Sequence, residues 1–248
     1  MVFCKNQNAR YKNFTLAGIT RPHILAAFIM RIRRKPWARP EIEQCEFFTN
    51  NPLENKGHWH EKFSKKQPLY LELGCGKGTF ISKIAVKNPN INFLALDIKS
   101  EMLALAKRNI EKEFEVAKKP IDNVLLASHD ISRISTLLSI DDAVDRIYIN
   151  FCNPWPKKKH KKRQLTHEKH LVQYKTFLKP KGEIYFKTDD DHLFNESIHH
   201  FLNNGFEIVY KTNDLHSSNF CKDNIETEHE KLFSSQGINI KFLIAKSK

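Results

Sequence analysis

The 248-residue sequence is short of several things, and each shortage excludes a class of protein. It has no long apolar run: the longest, residues 24–30, falls far below the ~20 residues a membrane-spanning helix needs, so no membrane span is expected. Its five cysteines (Cys4, Cys45, Cys75, Cys152, Cys221) are scattered, odd in number and without a Cys-x-x-Cys pair. That spacing offers neither a disulfide framework nor a zinc site, and it fits a reducing compartment. Internal repeats and low-complexity tracts are absent. What remains, 40% hydrophobic and 28% charged, is ordinary globular composition. The length suits one large α/β domain or two small ones.

Acidic residues are missing where basic ones are densest. Residues 1–40 carry nine Lys/Arg and no Asp or Glu, and residues 157–163 carry six more Lys/Arg. Without those fifteen, the 41 basic residues become 26, set against 28 acidic, so the two stretches hold the whole net charge of +13. Cations gathered this way release condensed counterions when they meet phosphates, which points to a nucleic-acid partner. Taken alone, either stretch could also be a solvated face.

From residue 68 onward, short β-rich runs alternate with amphipathic stretches of helical length. Strands are expected at 68–73, 91–97, 123–128, 144–151, 182–188, 206–210 and 238–245, and helices at 79–86, 100–116, 166–178 and 192–203. This alternation predicts a Rossmann-like α/β fold, a seven-stranded and mostly parallel sheet with helices on both faces. Ligands in such sheets bind beyond the carboxyl ends of the strands. Residues 31–66 read as a basic, irregular lead-in and 213–224 as a polar loop.

The first strand runs into Glu72-Leu-Gly74-Cys-Gly76-Lys-Gly78 and then a helix. Glycines there let the backbone turn sharply and come close to a ligand. The loop lacks the phosphate-cradling P-loop pattern, and Thr79 spoils the dinucleotide pattern G-x-G-x-x-G. What it shows is E-x-G-x-G-x-G, which resembles the first motif of class I S-adenosylmethionine-dependent methyltransferases. Asp97 and Asp130, at the ends of the second and third strands, stand where that family holds the ribose and contacts the adenine.

After the fourth strand comes Asn150-Phe-Cys-Asn153-Pro154-Trp155-Pro156-Lys157, continuing through Lys159, His160, Lys161 and Lys162 to Arg163 and Gln164. Two prolines bracket an aromatic and stiffen the loop, and a basic run follows at once. This segment resembles the signature D-P-W-P-K-x-x-H-x-K-R-R of the bacterial tRNA (guanine-N7)-methyltransferases, with Asn153 for the usual Asp and Gln164 for the second Arg. The resemblance extends to residues 30–39, to Thr188-Asp189 after the fifth strand, and to Thr227-Glu228-His229-Glu230 as a T-x-x-E motif.

The resemblance implies a class I methyltransferase domain over 67–248 that uses S-adenosylmethionine to methylate N7 of a guanosine in the tRNA variable loop (position 46). It implies that Glu72, Gly74, Gly76, Asp97, Asp130 and Asn153 bind the cofactor, with Asn153 in the place usually called catalytic. Lys157, Asp189 and Thr227, Glu228, His229 and Glu230 would bind the substrate, while Lys159, His160, Lys161, Lys162, Arg163 and Gln164 would lie along tRNA. Asp189 also reads as a helix N-cap, and Thr227 with Glu230 as a capping box. No metal is expected, the enzyme would be cytoplasmic, and monomer and homodimer both stay open. Residues 30–66 form the basic amino-terminal segment. Residues 1–29 precede the family's usual start and read as a disordered extension or an over-long start assignment. Arg21, Pro22 and His23 fit a cleaved signal peptide badly.

Two other readings stand beside this one. An exocyclic-amine methyltransferase uses [DNS]-P-P-aromatic, but here the aromatic precedes the second proline. A non-catalytic RNA-binding protein on the same fold is the reading that Asn153 itself invites.

Overall fold

Apolar strands that alternate with amphipathic helices can bury both faces of a sheet only if the helices divide between them. A computed structural model that describes residues 34–248 shows this division, and residues 1–29 lie outside the described part. The strands are β1 (Phe48–Thr49), β2 (Leu69–Leu73), β3 (Asn92–Asp97), β4 (Val124–Ser128), β5 (Val144–Asn150), β6 (Leu178–Thr188), β7 (Phe206–Thr212) and β8 (Lys241–Ser247). The helices are α1 (Ala38–Glu43), α2 (Thr79–Lys87), α3 (Ser100–Ala117), α4 (Glu168–Tyr174), α5 (Asp191–Asn203) and α6 (Glu228–Ser234).

One eight-stranded sheet has the order β1-β4-β3-β2-β5-β6-β8-β7. All pairings are parallel except those of β8 with β6 and β7. The chain moves outward from β2 through β3 to β4, then returns to place β5 on the other side of β2. The switch point between β2 and β5 is where such a sheet opens a crevice.

The two faces have separate cores. Leu71, Leu96, Ile147, Ile149 and Phe186 pack against Leu171 and Tyr174 of α4 and Leu193, Phe194 and Phe201 of α5. On the other face Phe93, Ala95, Leu126 and Tyr148 meet Ala38 and Ile42 of α1, Phe80, Ile81 and Ala85 of α2, and Leu103, Ala106, Ile110 and Phe114 of α3. Gly78, at φ +74°, stands where any side chain would collide with α3: an added Cβ would come within 2.7 Å of Ala106 Cβ.

The sheet has one strand more than the seven read from the sequence. The extra strand, β1, is a two-residue edge pair on β4, too short to leave a periodic signal. It lies in the stretch read as irregular, which also contains α1 and two 3₁₀ turns. That stretch is held down by Trp59, which is fully buried and donates from Nε1 to the Leu137 carbonyl at 3.0 Å. The buried Asp142 carboxylate accepts from the backbone N–H groups of Gly57, Trp59 and Ser139. The helix expected at 166–178 ends at Tyr174, because Leu178 already pairs with Val144 as the start of β6. Among the described residues no helix is long and apolar enough to cross a membrane.

Candidate active site

The carboxyl ends of β2, β3, β4 and β5 surround a cleft of about 820 Å³. Gly74, Asp97, Asp130, Asn150 and Asn153 line it, as do Trp155, Lys159, Lys162 and Arg163. Residues far apart in sequence, picked out for the methyl donor and for tRNA, therefore share one cavity, whereas Glu72, Lys157, Asp189 and residues 227–230 do not line it.

The glycine loop is held from below. Gly74 and Cys75 both donate their backbone N–H to the Leu96 carbonyl at 2.9 Å. Gly74 and Gly76 adopt φ of +76° and +54°, and a Cβ on either would meet nothing within 4 Å. Their glycines are required by backbone conformation, and the open space beside them leaves room for a ligand.

The three acidic residues sit in different environments. Glu72, on β2, is 2% exposed. Its Oε1 accepts from Asn150 Nδ2 at 3.1 Å, while its buried Oε2 has no partner. Burial raises the carboxyl to about 7, opposed by the Asn150 hydrogen bond and by the charge of Lys187. Asp97 accepts from Gly76 N–H at 3.0 Å and Lys99 N–H at 2.9 Å. Burial nevertheless raises its pKa against those bonds. Asp130 caps the following 3₁₀ turn by accepting from Ser132 N–H. Burial pushes its carboxyl up, but the Ser132 hydrogen bonds and the nearby His129 and Arg133 outweigh that and lower it.

The loop after β5 is built around side chain–backbone contacts. Asn153 is exposed to the cleft, and its Oδ1 accepts from Trp155 N–H at 3.0 Å, closing an Asx turn. Trp155 takes a left-handed backbone (φ +42°), with the Arg163 guanidinium 5.0 Å from its ring centre and His160 packed beside it. Lys157 to Arg163 form the exposed rim, largely as a 3₁₀ turn from Lys158. Two members of the run turn away from solvent. Lys161 pairs with Glu196 of α5. Gln164, grouped with the RNA-facing residues, is instead 1% exposed and donates from Nε2 to the Pro154 carbonyl at 2.9 Å. A neutral amide can be buried there against a carbonyl at less cost than a cation.

The T-x-x-E motif sits at the start of α6 and is mostly committed to structure. Thr227 caps the helix by accepting from Glu230 N–H at 3.1 Å. Glu230 is fully buried and accepts from Lys187 Nζ at 2.9 Å, with His216 and Asn224 on its other oxygen. Lys187, itself buried, also donates to Asn224 Oδ1 and the Ile225 carbonyl. Burial lowers the Lys187 pKa against the opposing charge and hydrogen bond of Glu230, whereas for Glu230 the raising effect of burial is outweighed by Lys187 and by the hydrogen bonds from His216 and Asn224. His216, Glu226 and Glu230 are the metal-type ligand group found among the described residues, and the Lys187 ammonium already supplies Glu230 with its cation. Glu228 is exposed and pairs with Lys77 of the glycine loop at 2.6 Å, while His229 stacks on Phe151. Asp189 is half-buried just after β6, and its carbonyl accepts from Lys241.

Sequence reasoning passed over Asn150 and Lys187. The available signals were a polar amide ending an apolar strand and a lone charge inside a strand just before Thr188-Asp189.

The family described as "Putative methyltransferase" matches residues 66–243. A tRNA (guanine-N(7)-)-methyltransferase from Clostridium beijerinckii is 62% identical over 216 residues, covering 87% of this chain and 98% of that protein. The chain belongs to this methyltransferase family. Proteins of the same name from Clostridium perfringens (58% identity, 88% of this chain and 99% of that protein) and Acetivibrio thermocellus (55%, 88% and 100%) are similarly close. Among solved structures, the 16S rRNA methyltransferase KamB superposes with a TM-score of 0.54 at 14% identity, covering 73% of this chain and 88% of that one. An antibiotic-related methyltransferase gives 0.51 at 17%, covering 73% and 87%. These two likenesses establish the fold, an α/β sheet of the methyltransferase type, mostly parallel as the alternation of strands and helices predicts.

Proposed function

We propose that this methyltransferase transfers the methyl group of S-adenosylmethionine to N7 of a guanosine in the variable loop of tRNA. The observation that carries this reading is the continuity of a single cleft from Gly74, Asp97 and Asp130, through Asn153, to the exposed Lys159 and Lys162 of the rim. High identity to proteins named for this reaction supports it.

The cofactor would supply a methyl group made electrophilic by its sulfonium. The residues present fit such a ligand: the space over Gly74 and Gly76 is open, and the buried Glu72 Oε2 is an acceptor waiting for a donor. Asp97 would take the ribose hydroxyls and Asp130 the adenine edge. Guanine N7 carries a free lone pair in the neutral base, so no base has to remove a proton before attack. The work left to the chain is alignment of the two reactants. Asp189 would accept from guanine N1–H and its exocyclic amine, with Lys157 and the segment from Thr227 to Glu230 around the substrate. In that segment Glu228 and His229 are the members left for contact, since Thr227 and Glu230 serve α6. Lys159, His160, Lys162 and Arg163 would follow the tRNA backbone.

The test is transfer of labelled methyl from S-adenosylmethionine to unmodified tRNA, with the modified nucleoside identified by mass spectrometry. The expected product is 7-methylguanosine in the variable loop. A different methylated base would favour an exocyclic-amine methyltransferase, and tRNA binding with no product would favour a non-catalytic RNA-binding protein.

A further inference from the structure

The segment that follows the Pro154–Pro156 loop is fastened to α5 at both of its ends. At one end Lys161 donates to Glu196 Oε1, and its ammonium lies 3.2 Å from His192 Nε2 on the same helix. At the other end the Thr166 and Ser197 hydroxyls share a hydrogen bond at 2.6 Å, and the Thr166 carbonyl faces His200 Nδ1 at 3.2 Å.

Between these ends Gln164 makes two contacts with one group. Its Nε2 carries two hydrogens: one goes to the Pro154 carbonyl at 2.9 Å and the other toward Glu196 Oε2 at 3.5 Å. Pro154 stands between Asn153 and Trp155, which both line the cleft. The two prolines have no N–H of their own to donate, so the loop takes its place partly from this outside contact. Glu196 is part-buried and lies outside the cleft lining. Burial raises its carboxyl, but the hydrogen bonds from Lys161 and Gln164 outweigh that and lower it. It is therefore an ionised carboxylate with both oxygens engaged by the basic run.

We propose that Glu196 is a positioning residue that acts in two ways: through Gln164 it sets the cleft wall carrying Asn153 and Trp155, and by holding Lys161 it withholds one cation from the RNA-facing rim. This rests on the tRNA-methyltransfer reading above. Contacts to phosphate fix the register of a nucleic acid on a protein. With Lys161 held back, the register is left to the exposed cations Lys159, Lys162 and Arg163. An ammonium released at position 161 adds a phosphate contact on the α5 side of that rim. The polyanion is then held more firmly and less productively, because the added contact competes with the register in which the target base meets the methyl donor.

The experiment uses the full-length enzyme and unmodified tRNA, with Glu196→Ala and the shape-conserving Glu196→Gln. Binding of tRNA is measured across a salt series, kcat by methyl transfer, and S-adenosylmethionine affinity by calorimetry. Both variants are expected to steepen the slope of log K against log salt by about 0.7 to 0.9, the value of one added phosphate contact. They should at the same time lower kcat by about tenfold, with S-adenosylmethionine affinity unchanged. The double variant Lys161→Ala/Glu196→Ala should return the slope to its wild-type value while kcat stays low, because Gln164 still lacks its second acceptor. A purely structural Glu196 would weaken cofactor binding along with kcat and leave the slope where it was. An unchanged slope or an unchanged kcat in both single variants overturns the proposal, and recovery of kcat in the double variant overturns the route through Gln164. A wild type that binds no tRNA would instead count against the tRNA reading itself.

Discussion

In the glycine-loop half of the cleft, Asp97 and Asp130 accept from backbone N–H groups of their own loops, and Glu72 keeps one oxygen without a partner. In the half of the molecule's candidate site formed by β6 and α6, which does not line that cleft, Thr227 caps a helix and Glu230 is locked to Lys187, His216 and Asn224. The first half holds acceptors ready for a ligand. The second uses its most buried polar groups to fasten α6 onto the sheet, and substrate contact is proposed only for Glu228 and His229. A short motif can thus be a positioning device at two of its four residues.

The comparison breaks most visibly at Lys187 and Glu230. Replacing either by a neutral residue leaves a buried charge without its partner, which costs about 3 kcal/mol or more. Glu230→Gln and Lys187→Met should each lower the urea midpoint accordingly, and the double variant should lose less than the sum of the two. Simple additivity would show that the pair does not fasten α6.

Glu72→Gln should act in the opposite direction on stability. The folded-state carboxyl titrates near 7, above its ordinary 4.5. Between those values the folded protein keeps a proton that the unfolded chain has lost, so stability falls as pH rises through this window. The neutral amide removes that penalty, and at pH 8 the ligand-free variant should be more stable by about 2 kcal/mol, with the gain vanishing near pH 4. Calorimetry should at the same time show S-adenosylmethionine affinity reduced by about a hundredfold. Lower stability at pH 8 would mean that the carboxylate is better solvated than its burial implies.

These halves were unequally legible in the sequence. Glu72, the loop glycines, Asp97 and Asp130 sit at strand ends, and strand ends follow from apolar periodicity, so chain order nearly fixes that half. The loop after β5 announced itself through its prolines and its charge run. Which cations face solvent did not follow: Lys161 and Gln164 turn inward because α5 presents Glu196 there, a contact between segments 30 or more residues apart. Lys187 and Glu230 were illegible as a pair for the same reason. The strand β1 and helix α1 were too short for their periodicity to stand out, and only tertiary contact, through Trp59 and Asp142, reveals that this stretch is pinned to the domain.

Smaller effects separate the rim from the motif. Exposed cations act on tRNA through counterion release, so Lys159→Ala, Lys162→Ala and Arg163→Ala together should reduce the slope of log K against log salt by about 2 to 3. Lys161→Ala should change that slope little, because its ammonium is already committed to Glu196.

The smallest stability change is expected at Glu228. Its pair with Lys77 joins side chains that are 51% and 46% exposed, and such a pair contributes at most about 0.5 kcal/mol. Glu228→Gln should therefore leave the urea midpoint almost unmoved. If Glu228 belongs to the contact surface, the same variant should raise KM for tRNA several-fold, by about 1 kcal/mol, with S-adenosylmethionine affinity unchanged. An unchanged KM would assign Glu228 to structure as well, leaving His229, stacked on Phe151, as the one member of the motif for which substrate contact is still proposed.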